Sequence, residues 1–167
     1  NTKALIEMHG AGYGPAFDHM ALIVELEGND YLVDVGFGEF AFAPLQINTL
    51  ESQEDERGTF RIEPVDEGRF RVSQWKDEKW QICSRFSKEA CELAEFTAIC
   101  NYHQTSPDSH FTQKRLISRP IENGRISISG NKVKVRVGIE THTQILADED
   151  AFSDILLRYF QISLDSP

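Results

Sequence analysis

HMALIVELEGNDYLVDVGFGEF, running from His19 to Phe40, is the stretch that decides the fold. Apolar residues alternate along it: Met20, Leu22, Val24 and Leu26, then Tyr31, Val33, Val35 and Phe37. A period of two, interrupted by Glu27-Gly28-Asn29-Asp30, predicts two antiparallel strands around a tight turn. The turn has two solutions. Centred on Gly28-Asn29, it sets Leu26 against Tyr31 and Asp34 against Ile23. Centred on Glu27-Gly28, it shifts every pair by two and sets Asp34 against Ala21. Glycine suits the first site of one tight-turn type and the second site of the other, so both registers stand. In either, the apolar residues share one face, and the other carries His19, Ala21, Ile23, Glu25, Leu32, Asp34, Gly36 and Gly38. Only the second register brings Asp34 one diagonal from His19, about 7–8 Å by backbone. A bulge near Gly36 would close the remaining distance.

A histidine and an aspartate on one sheet face ordinarily form a surface pair or a structural hydrogen bond. They can also do chemistry. An aspartate that holds one imidazole nitrogen leaves the other to take a proton from a thiol or hydroxyl, which is two-thirds of a nucleophilic triad.

His-Met-x-Leu-x-Val, a turn, then Tyr-Leu-Val-Asp-Val-Gly-Phe-Gly (His19 to Gly38) resembles the arylamine N-acetyltransferases. So do Asn101, Tyr102, Gln104-Thr105-Ser106-Pro107, Ser109 and Phe111, with Pro44-Leu45 between the two matches. The resemblance covers most of the chain and is strongest over 15–45 and 98–120. It implies a Cys-His-Asp triad that moves acetyl from acetyl-CoA to an aromatic amine or hydrazine. His19 and Asp34 would be the triad's histidine and aspartate. Phe37 would line the acyl and amine pocket; Phe40 and Phe42 either extend that pocket or pack in the core. Gly36 and Gly38 would let backbone approach the thioester, and Tyr102 and Ser109 fall in the segment that touches the coenzyme. The family's nucleophile sits in an Arg-Gly-Gly-x-Cys stretch of a helical domain before the histidine. That stretch is absent here, and only eighteen residues precede His19. The expectation is therefore a fragment, second and third domains only, whose helical domain and cysteine are cut off or carried on another chain. Alone it would not form the acyl-enzyme. Two other readings share these residues: a different thiol-dependent acyl transferase or amide synthase on the same scaffold, and a non-catalytic remnant that binds coenzyme or a partner.

With 167 residues, the chain suits one domain or two small ones. Its net charge of −10 disfavours a nucleic-acid partner. No apolar run reaches the roughly 20 residues of a membrane span. Cys83, Cys91 and Cys100 are odd in number and lack CxxC spacing, which argues against a disulfide framework or a metal site and suits a reducing cytoplasm. Neither Cys91 nor Cys100 has the electropositive setting of a catalytic thiol.

Outward from the hairpin, residues 1–8 read as a strand. His9-Gly10-Ala11-Gly12-Tyr13-Gly14-Pro15 is a loop, either a phosphate cradle or simple flexibility. Glu51, Glu54, Asp55 and Glu56 read as a solvated acidic loop. Strands at 59–63, 69–75 and 79–83, broken at Gly68 and Asp77-Glu78, predict an antiparallel meander, open or closed into a barrel. Trp75 and Trp80 suit core or hairpin partners. Residues 87–104 predict a helix capped by Ser87, with Ala90, Leu93, Ala94 and Ile99 on one side and His103 beyond it. Residues 105–145 are locally basic, through Lys114, Arg115, Arg119, Arg125, Lys132, Lys134 and Arg136: a wall for coenzyme phosphates or a solvated basic strand. Residues 126–137 form a hairpin around Gly130-Asn131. Asp148 caps a last helix whose stripe, Phe152, Ile155, Leu156, Tyr159 and Phe160, packs on that sheet. The fold class expected is α+β, mainly β: an antiparallel barrel-like domain (1–86), a connecting helix (87–104) and an α/β lid domain (105–167).

Overall fold

Glu27 and Gly28 both take positive φ, 52° and 78°. That is a type I′ turn with glycine at its second site, the form whose twist matches two antiparallel strands. It selects the second register: Leu22 faces Val33, Ile23 faces Leu32 and Val24 faces Tyr31. The computed structural model describes residues 2–10, 14–38 and 40–164, with side chains in the first segment from Ile6 to Met8. Most of the glycine-rich loop, the side chain of His9 and the C-terminal Asp165-Ser166-Pro167 lie outside the described residues. The chain divides into two units, Asn1–Tyr102 and His103–Pro167.

The first unit holds β1 (Thr2–Gly10), β2 (His19–Leu26), β3 (Asn29–Val33), β4 (Leu45–Gln46), β5 (Gln53–Asp55), β6 (Gly58–Asp66), β7 (Arg69–Lys76) and β8 (Lys79–Ser87). They form one antiparallel sheet in the order β4-β3-β2-β1-β8-β7-β6-β5. β4 comes back against β6, so the sheet is a nearly closed barrel. One side chain bridges the seam. Gln53 Oε1 accepts the backbone N–H of Gln46 (2.7 Å), and Gln53 Nε2 donates to the Gln46 carbonyl (2.9 Å).

The barrel interior is filled by Ile6, Met8, Ala21, Ile23, Leu32, Phe60, Ile62, Val72 and Phe86, all buried. Each large apolar side chain removed from water contributes about 1.5–3 kcal/mol. The hairpin's inward face is the one that carries His19, not the one with the stronger apolar alternation. Ala21 and Ile23 are 2% exposed, whereas Met20 and Leu26 opposite them keep 36% and 59%. Trp75 and Trp80 close the β7–β8 hairpin as an edge-to-face pair 5.4 Å apart.

The connecting helix starts later than its composition suggests. Ser87 is the last residue of β8, not a cap. Glu92 and Glu95 form a reciprocal capping box, after which a 3-10 turn (Leu93–Phe96) leads into α1 (Thr97–Thr105). His103 therefore lies on the helix rather than past it. The expected apolar side is not a packing face: Leu93 is 67% exposed, and only Phe96 is buried over these two elements.

The second unit holds α2 (His110–Gln113), β9 (Leu116–Ile121), β10 (Gly124–Ser129), β11 (Lys132–Val137), β12 (Glu140–Ile145) and α3 (Glu149–Ile155), the last running on into a π turn (Leu156–Phe160). The sheet order is β12-β11-β10-β9. Ser129 pairs with Lys132, so the turn falls at Gly130-Asn131. Gly124 admits no side chain, because a Cβ there would stand 1.8 Å from the Arg136 carbonyl oxygen. Asp148 caps α3 by accepting the Ala151 N–H (2.8 Å). Phe152 and Leu156 pack with Ile128, Val133 and Leu146, so the stripe and the sheet face do meet.

Candidate active site

His19 opens β2, paired with Met8 of β1, while Asp34 stands one residue past the end of β3. The selected register sets Asp34 beside Ala21, and the side chains cover the diagonal that remains. His19 Nε2 and Asp34 Oδ2 are 2.8 Å apart. No bulge is needed near Gly36; the strand ends, and Asp34 turns the chain itself. Its second oxygen, Oδ1, accepts the N–H of Gly36 (2.9 Å) and of Phe37 (3.0 Å). This aspartate side-chain turn is the local structure that aspartate favours wherever a strand stops.

The Asp34 carboxylate is wholly shielded, while His19 keeps 25% of its side-chain surface. Burial pushes the Asp34 carboxyl up. The His19 hydrogen bond and charge and the two N–H groups outweigh that and hold it below the ordinary carboxylate range. A firmly ionised aspartate fixes one imidazole nitrogen. The other, Nδ1, has no partner among the described residues and is the nitrogen available to a reacting thiol or hydroxyl.

Neighbouring residues fix the imidazole's place. The ring of Phe37 packs edge-on against it, centroids 5.6 Å apart. Gly36 passes so close that a Cβ would lie 3.2 Å from His19 Cε1. Two residues upstream, Phe17 donates its N–H to the Glu7 carboxylate and sets its ring edge-on to Phe96 at 5.3 Å. Phe17 and Glu7 carry no motif, and nothing in their local sequence marks them as supports of the site.

The remaining expected site residues are placed as follows. The Gly38 carbonyl accepts from Arg57 Nη2 (3.3 Å). Phe40 is buried against Phe60, and Phe42 is 52% exposed with the Arg57 guanidinium 4.3 Å over its ring. Tyr102 is 38% exposed. Ser109 is 2% exposed and caps α2: its hydroxyl accepts the Phe111 N–H (3.2 Å) and lies 3.1 Å from His103 Nδ1. That hydroxyl is engaged by protein groups, and His103 is a satisfied structural histidine. A cavity of about 520 Å³, bounded by Glu7, Arg69, Phe70, Arg85, Phe86 and Lys88 among others, does not include the His19–Asp34 pair.

Two of the three free cysteines are held away from the thiolate form. Burial pushes the Cys83 thiol up, and its sulfur donates to the Val72 carbonyl. Burial, with the negative charges of Glu95, Glu7 and Glu89, does the same to Cys91 despite a backbone hydrogen bond at Glu7. Cys100 is exposed on α1. Among the described residues, no cluster of three His, Cys, Asp or Glu could hold a metal ion, and no helix is long and apolar enough to cross a membrane.

A family model described as N-acetyltransferase matches residues 3–167. The chain belongs to the arylamine N-acetyltransferase family. It is 25% identical over 176 residues to arylamine N-acetyltransferase 2 of Rattus norvegicus, an alignment covering 92% of this chain and 61% of that protein. Over 114 residues it is 31% identical to YvcN of Bacillus subtilis, described as an uncharacterized acetyltransferase, covering 66% of this chain and 44% of that one. The solved arylamine N-acetyltransferase of Salmonella typhimurium superposes with a TM-score of 0.85 at 18% identity, over 98% of this chain and 62% of that one. The family member from Mycobacterium marinum has been solved in complex with CoA; it superposes with a TM-score of 0.81 at 23% identity, over 95% of this chain and 62% of that one. This N-acetyltransferase chain thus spans less than two thirds of each of these relatives.

Proposed function

We propose that the chain carries the histidine and aspartate of an acetyl-CoA-dependent arylamine N-acetyltransferase, whose cysteine comes from outside these residues. The observation that carries the reading is the 2.8 Å bond from His19 Nε2 to an aspartate whose other oxygen is tied to two backbone N–H groups. That leaves Nδ1 to take the proton of a thiol. The resulting thiolate attacks the acetyl carbonyl of acetyl-CoA, and the departing coenzyme thiolate takes the proton back from the imidazolium. An aromatic amine or hydrazine then attacks the acyl-enzyme thioester. His19 accepts the amine proton, and the cysteine leaves as a thiolate. Asp34 stays ionised throughout and stabilises the imidazolium. The raised thiols of Cys83 and Cys91 support a cysteine from elsewhere. The unpaired cysteines support a reducing, cytoplasmic setting.

The full-length protein is the material for the test. Single-turnover reaction with acetyl-CoA should release free CoA and add one acetyl group to a cysteine outside residues 1–167, and an arylamine should remove that group as its N-acetyl product. Acylation that an arylamine cannot discharge points instead to another acyl transferase or amide synthase. No acylation at all points to a binding remnant.

A further inference from the structure

Phe17 takes a left-handed backbone, φ 60°, two residues before His19. A bulky residue disfavours that conformation, which persists only where its surroundings over-determine it. Two groups of the first unit do so here. The backbone N–H of Phe17 donates to Glu7 Oε1, and its ring meets Phe96 edge-on with centroids 5.3 Å apart.

Each anchor is itself held. Glu7 lies on β1, where the pairing sets Met8 opposite His19 and Glu7 opposite Met20. One carboxylate therefore ties the chain that leads into β2 to the rungs at which β2 begins. Phe96 is the one buried residue of the 3-10 turn and α1, and the Glu92–Glu95 capping box closes the turn that carries it. The chain after β8 thus returns to press on the residue that leads into His19. Asp34, Phe37 and Gly36 hold the imidazole ring. The backbone from which that ring hangs is held by its pairing with Met8 and by this brace at Phe17.

Resting on the acetyl-transfer reading above, we propose that Glu7 and Phe96 are positioning residues: through Phe17 they fix the entry of β2 and so aim His19 Nδ1 at the reacting thiol. Glu7 acts here as a backbone acceptor, which a neutral amide can replace and an apolar side chain cannot. His19 moves a proton in both half-reactions, so a fault in its aim slows both and leaves coenzyme binding alone.

Full-length protein tests this with two rates and one ring. In Glu7→Ala, single-turnover CoA release from acetyl-CoA and discharge of the acetyl group to an arylamine should both fall about 10- to 100-fold, the range expected for an ångström-scale misplacement. Glu7→Met keeps the length of the side chain without an acceptor oxygen and should fall equally. Glu7→Gln, whose amide oxygen still accepts the Phe17 N–H, should stay within about threefold of wild type. Phe96→Ala should slow both rates by at least about threefold. The Kd of CoA should not move by more than about threefold in any of them. Glu89→Ala removes another carboxylate beside the same cavity as Glu7 and should change neither rate. The imidazole reports apart from turnover. With Nε2 bonded to Asp34, the neutral ring is held as one tautomer, and its 15N shifts should move toward the average of two tautomers in Glu7→Met but not in Glu7→Gln. Rates within about threefold of wild type in both Glu7→Ala and Glu7→Met overturn the proposal. So does an equal loss in Glu7→Gln, a loss confined to one half-reaction, or a tautomer that does not move. If wild type takes no acetyl from acetyl-CoA, the acetyl-transfer reading fails. A tautomer shift in Glu7→Met then still upholds the brace as what aims His19, and an unmoved tautomer overturns the brace as well.

Discussion

Two aspartates turn the same loop with the same chemistry and finish differently. Asp34 gives one oxygen to two backbone N–H groups and keeps the other for His19. Asp55 likewise gives one oxygen to two N–H groups, but its other oxygen goes to a third, on Arg57. Both carboxyls are held below the ordinary range, so acidity does not separate them. What separates them is a single oxygen. At Asp34 it meets a side chain that can exchange a proton; at Asp55 it meets a backbone that cannot. A depressed carboxylate becomes a candidate for catalysis only through the partner of its last lone pair.

The largest test of this contrast is Asp34→Asn against Asp55→Asn in the full-length protein. An amide at 34 can hold the wrong imidazole tautomer, and acetyl transfer should fall about 10³- to 10⁴-fold. At 55 the amide keeps an acceptor oxygen, and the loss should stay within about tenfold. Equal losses, measured as kcat with saturating acetyl-CoA, would break the distinction.

How much of this was legible follows from particular residues. The hairpin could be read because its alternation survives on both strands, and the His19–Asp34 pairing because only their residue types matched a long motif. The register could not, since Gly28 fits either turn and only the backbone at Glu27 decides it. The inward face misled, because β2 is apolar on both sides: the buried side carries only Ala21 and Ile23 between His19 and Glu25, while Met20 and Leu26 on the longer apolar run stay exposed. Asp55 was hidden among Glu51, Glu54 and Glu56; its partners are backbone groups twelve and thirteen residues away, which no side-chain pattern encodes. The helix start was obscured because Ser87 looks like a cap and is the end of a strand, while the working cap is a pair of glutamates.

Glycine substitutions sharpen the comparison at intermediate size. Gly36→Ala drives a methyl against His19 Cε1 at 3.2 Å and toward Asp34 Oδ1 at 3.7 Å. Turnover should drop about 100-fold, as for a small displacement of a catalytic group, with the melting temperature moving little. Gly28→Ala should do the reverse. Nothing lies within 4 Å of its Cβ, but φ is +78°, so the cost is about 1 kcal/mol of stability with turnover unchanged. Denaturant melts and steady-state rates on the two variants check both halves.

The smallest effect is pH dependence. A carboxyl lowered on folding contributes stability that is complete above its unfolded pKa, about 3.9, and is lost as pH falls through the lower folded value. The stability gap between wild type and Asp55→Asn should therefore be flat above about pH 5 and close in stronger acid. Chemical melts across pH 2–7 would show it. A gap that closes near neutrality would mean that a group other than Asp55 titrates beside it.

Gln53 has a consequence for how relatives of this barrel can differ. Its amide supplies one acceptor and one donor to the backbone of Gln46, so a single side chain imitates a rung of β-ladder across the seam. The chain between these two glutamines is thereby released from strand geometry. Doubling the length of such a connection costs only about 0.6 kcal/mol of closure entropy. Insertions and deletions between β4 and β5 should accumulate across homologues without opening the barrel, and glutamine at 53, rather than any residue of the connection, should be what survives them.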